Sequence, residues 1–441
     1  MANSITSLNL TPRLIRPAPD PLGLYFRVGR GDHRALLDLL AGGETRFFGL
    51  VCDPTHAKFQ RELVERAVER RLDVILDPRT QASATIGGFT ESLGELPWGR
   101  GRVHAEDDFR GAAGRRLIAN LARFVAEHGY TQVLTPSHLI RSTSDEWWGI
   151  DLRCANELRE ELDRVGCSRV SVLCSLPITY AMLRNPAERR ALIQGLKGCP
   201  AEGLWLAIDG VGSSSTPTAV RTYLEAVAEF HTLGIPLIAD HAGGLVGLAF
   251  VAFGGVGALA HGVTHGERFD TAHWRRPRAE ESFGMQRRVY VPTLDMLLKP
   301  AEAQALFDFG QRATARFGCS DTKCCPRGVT DMLQNPAHHF LRQRIDEISK
   351  LSSIPESLRA NRFVEQRLRP ITDTALAAAG LDWKEPAMAK RMQGQRLRLD
   401  RMRVALGNLA EEARSHAGRT MSVPPRRRIV RVAPDRPSAS P

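Results

Sequence analysis

Residues 235–262, IPLIADHAGGLVGLAFVAFGGVGALAHG, contain two short apolar runs on either side of a glycine-bounded segment of helical length. The runs IPLIAD and GALAHG have the length of buried strands. Glycines interrupt the stretch before it reaches the roughly twenty apolar residues that a membrane span requires. Because parallel strands need a crossover between them, this stretch predicts a strand, a helix and a second, parallel strand.

The same alternation runs from about residue 22 to residue 265. Strands are predicted at GLYFRVG, RFFGLVCD, LDVILD, TQVLTP, RVSVLCS, GLWLAID, IPLIAD and GALAHG. Eight strands with helical crossovers indicate an α/β fold of the (β/α)8 or TIM barrel type, since closing the sheet removes both of its edges. The alternative is a doubly wound open sheet. No G-x-G-x-x-G follows the first strand, which disfavours the dinucleotide-binding form of that alternative.

The chain as a whole is predicted to have five segments. They are an N-terminal extension (1–21), the barrel (22–316), a zinc-binding helical subdomain (317–380), a basic helix (381–421) and a disordered basic tail (422–441).

Active sites of TIM barrels lie where the strands end and the following loops begin, so polar residues at these positions are the candidates for chemistry. Carboxylates that meet at one barrel mouth must each be paired or solvated, and their convergence there indicates function. Asp53 precedes a proline and is predicted to cap a helix instead. We expect catalysis from Asp77, Asp209, Asp240 and His241, and substrate binding from Arg79, Gln81, Ser137, Ser175 and His261.

Three of the eight cysteines cluster in FGCSDTKCCPRGVTDMLQNPAHHFLRQRI, residues 317–345. Structural zinc takes four ligands in a tetrahedron, usually thiolates and imidazoles. The sequence NPAHH predicts a helix that begins at Pro336, so its two histidines fall in the first turn and point about 100° apart. We expect a structural Zn²⁺ held by Cys319, Cys324, Cys325 and His338, with His339 as the alternative fourth ligand.

The chain carries a net charge of +11. Lys and Arg that neutralise phosphates gain free energy from counterion release, so this charge favours a polyanionic partner, although a solvated basic tail is an alternative explanation. The connection at 266–300 interleaves arginine with aromatic residues, a composition that suits phosphate contact and base stacking or a plain surface loop. The N-terminus lacks the apolar core of a secretory signal, and we expect a cytoplasmic protein without membrane contact.

Three motifs resemble those of the tRNA-guanine transglycosylases and their relatives that insert 7-deazaguanine bases into DNA. They are VILDPRTQAS, the stretch at 235–262, and the cysteine cluster with the helical segment HHFLRQRIDEISKLSSIPESLRANRFVEQRL. The resemblance implies that Asp77 binds and deprotonates an incoming base and that Gln81 lines its pocket. The family's nucleophilic aspartate is missing from the end of the last strand. Base exchange needs a carboxylate at the sugar carbon, so Asp240 is expected to replace it, with Asp209 in reserve.

Three functions follow from these patterns. The first is a glycosyltransferase that exchanges a (deaza)guanine-type base, with tRNA or DNA and a purine-like base as partners and a homodimer as the assembly. The second is a catalytically inert barrel that binds nucleic acid. The third is a barrel lyase or hydrolase of a small acidic metabolite, with Arg79, Arg141 and Asp240 in its pocket.

Overall fold

The structure, a computed structural model, describes residues 21–277 and 287–417. Eight parallel strands form a closed barrel in chain order, and the last strand pairs back onto the first. They are β1 (Gly23–Val28), β2 (Gly49–Cys52), β3 (Asp73–Leu76), β4 (Gln132–Leu134), β5 (Ser171–Thr179), β6 (Gly203–Asp209), β7 (Leu237–Asp240) and β8 (Ala258–Gly262). The predicted (β/α)8 barrel is confirmed, and the open-sheet alternative is wrong.

Helices connect these strands and continue after the barrel. They are α1 (His33–Ala41), α2 (Ala57–Glu69), α3 (Thr80–Ser83), α4 (Glu91–Gly94), α5 (Gly111–His128), α6 (Glu146–Arg164), α7 (Tyr180–Arg184), α8 (Pro186–Leu196), α9 (Pro217–Val227), α10 (Gly244–Ala252), α11 (Pro300–Phe307), α12 (Gln311–Phe317), α13 (Val329–Gln334), α14 (Pro336–Ser352), α15 (Glu356–Phe363), α16 (Arg369–Ala379) and α17 (Pro386–Ala417). An antiparallel hairpin, β9 (Val289–Val291) with β10 (Met296–Leu298), lies between α10 and α11 in the chain beyond β8.

Side chains along each strand point alternately into the barrel and out toward the helices. The inward-facing side chains fill the barrel interior in layers. One apolar layer packs Tyr25 of β1 against Trp205 of β6, with their ring centroids 5.1 Å apart. Residues two positions further along each strand form the next layer toward the carboxyl ends. This layer contains Arg27 of β1, Asp77 directly after β3, and Asp240 of β7. Charged side chains therefore lie directly above the apolar core of the barrel.

Helices from the C-terminal part of the chain cover the barrel. α10 is buried at every position because α9, α14 and α15 pack around it, which explains its uniformly apolar sequence. The long helix α17 packs against α16 and α9. Its buried residues recur at helical spacing: Met388, Met392, Leu399, Met402, Leu406 and Ala410.

The predicted segment boundaries stay predictions. The N-terminal extension, except for Pro21, and the basic tail lie outside the described residues. Within the described ranges, no helix combines the length and apolar character that crossing a bilayer requires.

Candidate active site and metal centre

A pocket of about 410 Å³ opens at the carboxyl ends of β1, β2, β3, β7 and β8. This is the end of the barrel at which TIM-barrel enzymes carry their active sites. Of the predicted site residues, the structure brings Asp77, Arg79, Gln81 and His241 to its wall. Asp240 does not line the pocket itself, but it accepts a hydrogen bond from Arg27, which does.

Arg27 binds both of the central aspartates. Its Nη1 donates to Asp77 Oδ2 at 2.6 Å, while its Nε and Nη2 donate to the two oxygens of Asp240 at 2.6 and 2.5 Å. The side chains of Asp77 and Asp240 are only 3% and 4% exposed. Burial by itself raises the pKa of Asp77, but the charges of Arg27 and Arg79 outweigh it and lower that pKa. The arginine therefore keeps a buried carboxylate ionised.

Sequence reasoning missed Arg27. The available signal was its position two residues after Tyr25 in GLYFRVG, since alternation makes both side chains point into the barrel. A charged residue on the inward face of a barrel strand needs a buried counter-ion, and two aspartates supply it here.

His241 presents an imidazole to the pocket. Burial lowers its pKa to about 4, so the ring is neutral at physiological pH. No hydrogen bond of its ring nitrogens occurs within the described residues, and the ring lies 5.4 Å from that of Phe269 between centroids. Its backbone adopts a left-handed conformation with φ of 53°, which is strained for a residue with a side chain. A neutral imidazole with available nitrogens can accept or donate a proton.

The rim beside Asp77 is held by a second ion pair. Arg79, also left-handed with φ of 59°, binds Asp53 at 2.5 Å, and its backbone N–H donates to Asp77 Oδ1 at 2.9 Å. Asp53 also accepts the backbone N–H of Thr55 at 3.0 Å, which is the predicted capping contact. Close by, Gln81 Oε1 is buried and accepts no hydrogen bond from residues 21–277 or 287–417. A buried acceptor without a partner in the wall of a pocket is suited to a ligand donor.

Other predicted site residues lie outside this pocket. The hydroxyl of Ser137, just beyond β4, donates to that of Ser175, within β5, at 2.9 Å. Asp209 accepts the backbone N–H of Thr271 at 2.8 Å, so it anchors the loop after β8. Arg141 is exposed and does not line the pocket.

The structure does not bring His261 to this pocket. Ala258 and Ala260 of β8 point into the barrel, so alternation turns His261 outward. Its ring packs between Phe26 and Phe340, with centroids 5.7 Å from each. It is a core residue between β1 and α14, where burial lowers its pKa to about 4.

The cysteine cluster forms a compact group of donors beside the hairpin. His339, not the predicted His338, completes it. His339 Nδ1 lies 3.4 Å from Cys324 Sγ and 3.3 Å from Cys325 Sγ, and these two sulfurs are 3.7 Å apart. All four donor atoms, including Cys319 Sγ, lie within 4.8 Å of one another, so the group can hold a metal ion.

The choice of His339 has a physical cause. The cysteine loop lies on the face of α14 that carries His339 and Gln343, whose Nε2 is 3.6 Å from Cys319 Sγ. His339 Nε2 lies 3.0 Å from the Tyr290 carbonyl oxygen, which fixes the ring so that Nδ1 faces the sulfurs. His338 points elsewhere and is half-buried.

A buried ionic network joins this region to the pocket. Arg344 of α14 donates to Glu267 at 2.6 Å, to Glu347 at 2.8 Å and to the Tyr290 hydroxyl at 2.7 Å. Glu267 also accepts the N–H of Gly244 at 3.2 Å and stands in the chain between pocket residues 266 and 268. Burial raises the pKa of Glu267 while Arg344 opposes the rise. Arg344 of α14 thus holds the loop after β8 in place through its ion pair with Glu267.

No protein-family model and no curated protein matches the chain. Among solved structures, the 3-dehydroquinate dehydratase of Enterococcus faecalis is 13% identical with a TM-score of 0.34, and the match covers 55% of this chain and 89% of that one. The intracellular xylanase TsXylA of Thermoanaerobacterium saccharolyticum is 11% identical with a TM-score of 0.35, covering 60% and 93%. The HpcH/HpaI aldolase of Desulfitobacterium hafniense is 10% identical with a TM-score of 0.31, covering 55% and 86%.

The prediction of a base-exchanging glycosyltransferase is wrong. The similar structures are a dehydratase, a xylanase and an aldolase, and none of these three is a transglycosylase by its name. The geometry gives the physical reason. Every carboxylate oxygen of Asp77 and Asp240 already accepts a hydrogen bond from Arg27 or from a backbone N–H. A nucleophile must turn an oxygen toward the sugar carbon, and these bonds hold both carboxylates against Arg27 instead.

Proposed function

We propose that the chain is a barrel lyase or hydrolase of a small polar metabolite, with His241 as the group that transfers the proton. The observation that carries the proposal is a neutral imidazole in a pocket at the carboxyl end of the barrel, with ring nitrogens that form no hydrogen bond to any described residue. A histidine whose pKa lies below the working pH acts as a base without first losing a proton. Proton abstraction or activation of a water molecule is the step that such a group provides.

The remaining pocket residues suit recognition of a polar ligand. Gln81 offers a buried carbonyl oxygen to a ligand hydroxyl or amine. The Arg27–Asp77–Asp240 group places fixed charges beneath the ligand, and Phe269 and its loop form one wall. The volume of about 410 Å³ lies at the lower end of the range of about 300–1,000 Å³ that is typical of small-molecule sites.

Two experiments test this proposal: a screen for a substrate and the substitution of His241. Carboxylated and phosphorylated metabolites are screened for a rise in the unfolding temperature, and turnover of each stabilising compound is followed by NMR. His241→Gln should lower kcat by about 100-fold or more and leave KM within a few-fold. His128→Gln, at an exposed histidine on α5, is the matched control and should leave kcat unchanged. Wild-type turnover by the His241 variant would refute the role of this residue.

We further propose that the cysteine cluster binds structural zinc through Cys319, Cys324, Cys325 and His339. Bonds of about 2.3 Å to sulfur and about 2.0–2.1 Å to nitrogen in a tetrahedron place two sulfurs about 3.8 Å apart and nitrogen about 3.5 Å from sulfur. The distances of 3.7 Å between the sulfurs and of 3.3 and 3.4 Å from nitrogen to sulfur agree with this geometry. Elemental analysis should give one zinc per chain, and absence of bound metal from protein purified without chelator would refute the assignment.

A further inference from the structure

A second, larger cavity adjoins the pocket. It is a groove of about 1160 Å³, formed by the loop after β1, the start of α1, the residues before β9 and the start of α14. Gly29, Asp32 and His265 line both the groove and the pocket, so one ligand can occupy the two spaces together. The volume of the groove is more than twice that of the pocket.

The groove is rich in arginines that lack a counter-ion among the residues that the structure describes. Its lining includes Arg30, Arg34, Arg287 and Arg288, and none of the four forms an ion pair within the described ranges 21–277 and 287–417. Arg288 is half-buried, and Arg30, Arg34 and Arg287 are exposed at the mouth of the groove. Of the described acidic residues, Asp32 and Asp38 line the groove, and Asp32 accepts the N–H of Gly29 at 2.8 Å. The groove therefore has an excess of positive charge.

Two helices also begin in the groove wall. Residues 32–35 at the start of α1 and residues 335–338 at the start of α14 line it, and neither helix start has a side-chain hydrogen bond to its first N–H groups. Uncapped helix starts present backbone donors and the positive end of the helix dipole. The guanidinium groups and these backbone donors converge on one space.

We propose that the groove binds a chain of two or more phosphate groups that belongs to the substrate, and that the reacting end of this substrate lies in the adjoining pocket. The inference deepens the proposed function and rests on it for the position of the reacting end. Arginine and helix N-termini are the groups that recognise phosphate oxygens in proteins. The groove thus binds the charged end of the ligand, while His241 acts on its uncharged end.

Binding of two probes tests the groove without a known substrate. Inorganic tripolyphosphate is titrated calorimetrically, and a fluorescein-labelled single-stranded dT10 is titrated by anisotropy. The double variant Arg34→Gln/Arg288→Gln should weaken binding of whichever probe binds by about tenfold for each arginine removed. For dT10 it should also reduce the slope of log K against log salt by about 1.4, since each phosphate contact contributes about 0.7.

The control is Arg401→Gln/Arg403→Gln, which removes the same charge from exposed positions on α17. It should leave both affinities within twofold. Tight binding of tripolyphosphate alone supports a small phosphorylated substrate, and tighter binding of dT10 supports a nucleic-acid strand as the source of the phosphates. Absence of binding by both probes, or equal losses in the groove variant and the control, would overturn the proposal.

The His241→Gln variant separates this inference from the proposed function. It should retain wild-type affinity for both probes, because the groove does not depend on the imidazole. If His241 proves dispensable for turnover while the groove variant still loses the probes, the proposed chemistry fails and the phosphate site stands.

Discussion

Replacing Arg27 by methionine should be among the most damaging single changes to this protein. The substitution keeps most of the side-chain volume but leaves Asp77 and Asp240 buried and facing one another without a cation. Removing one partner of a buried ion pair costs about 3–5 kcal/mol, because the remaining charge is desolvated and unpaired. Three hydrogen bonds to charged oxygens are lost at the same time, so we expect a loss at the upper end of that range.

The pH dependence of this loss carries the sharper test. In the wild type, the pKa of Asp77 is below its unfolded value, so its stabilisation is present above about pH 4 and disappears as the pH falls further. Without Arg27, burial should raise the pKa of Asp77 above its unfolded value. The folded variant then takes up protons more readily than the unfolded chain, and its stability should rise as the pH falls from 7 toward 5.

Urea unfolding at pH 7 and at pH 5 measures both effects. Arg27→Lys retains the charge but cannot bind both carboxylates in the same forked geometry, and it should lose less stability than Arg27→Met. Adding Asp77→Asn and Asp240→Asn to Arg27→Met removes the stranded charges and should recover most of the loss. A decrease of less than about 1 kcal/mol for Arg27→Met, with no gain in stability at lower pH, would refute the view that this arginine neutralises the site.

Three further outcomes are expected. His339→Ala should lose bound zinc and fold less stably, whereas His338→Ala should retain one zinc per chain by elemental analysis; equal zinc content in both would reject the assigned ligand. In ¹⁵N NMR spectra, the His241 imidazole should stay neutral from pH 7 to pH 5 and protonate near pH 4, and a titration near 6.5 would contradict its burial. Arg344→Met should cost about 3–5 kcal/mol in urea unfolding by stranding Glu267, and Arg401→Met should cost less than about 0.5 kcal/mol.

The barrel was predictable because its signal is repeated. Each strand is a short apolar run, and β1 to β7 are each followed by helix before the next strand, so an error in one element does not change the topology. The closing pair of β8 with β1 follows from the count of eight. Placement of Asp77 and His241 at the mouth followed from the rule that strand ends meet at one rim.

The remaining features depend on directions that a sequence does not specify. The end of a predicted strand places a residue at the barrel mouth, but it does not say whether the side chain points into the barrel. Arg27 points inward, whereas His261 points outward. At the metal cluster, His338 and His339 share one helical turn. The face of α14 that meets the cysteines is set by how α14 packs on β1 and by the Tyr290 carbonyl, both of which are tertiary contacts.

These contacts also explain why the metal cluster and the pocket belong to one structural unit. His339 is held by the carbonyl of Tyr290, and the hydroxyl of the same residue binds Arg344. Arg344 in turn binds Glu267, the residue between two pocket-lining positions of the loop after β8. A metal ion at the cluster fixes the start of α14, so it also fixes the depth at which Arg344 meets Glu267. Removal of the metal should therefore weaken ligand binding in the pocket before the barrel itself unfolds, because the strands are hydrogen-bonded to one another in a closed ring.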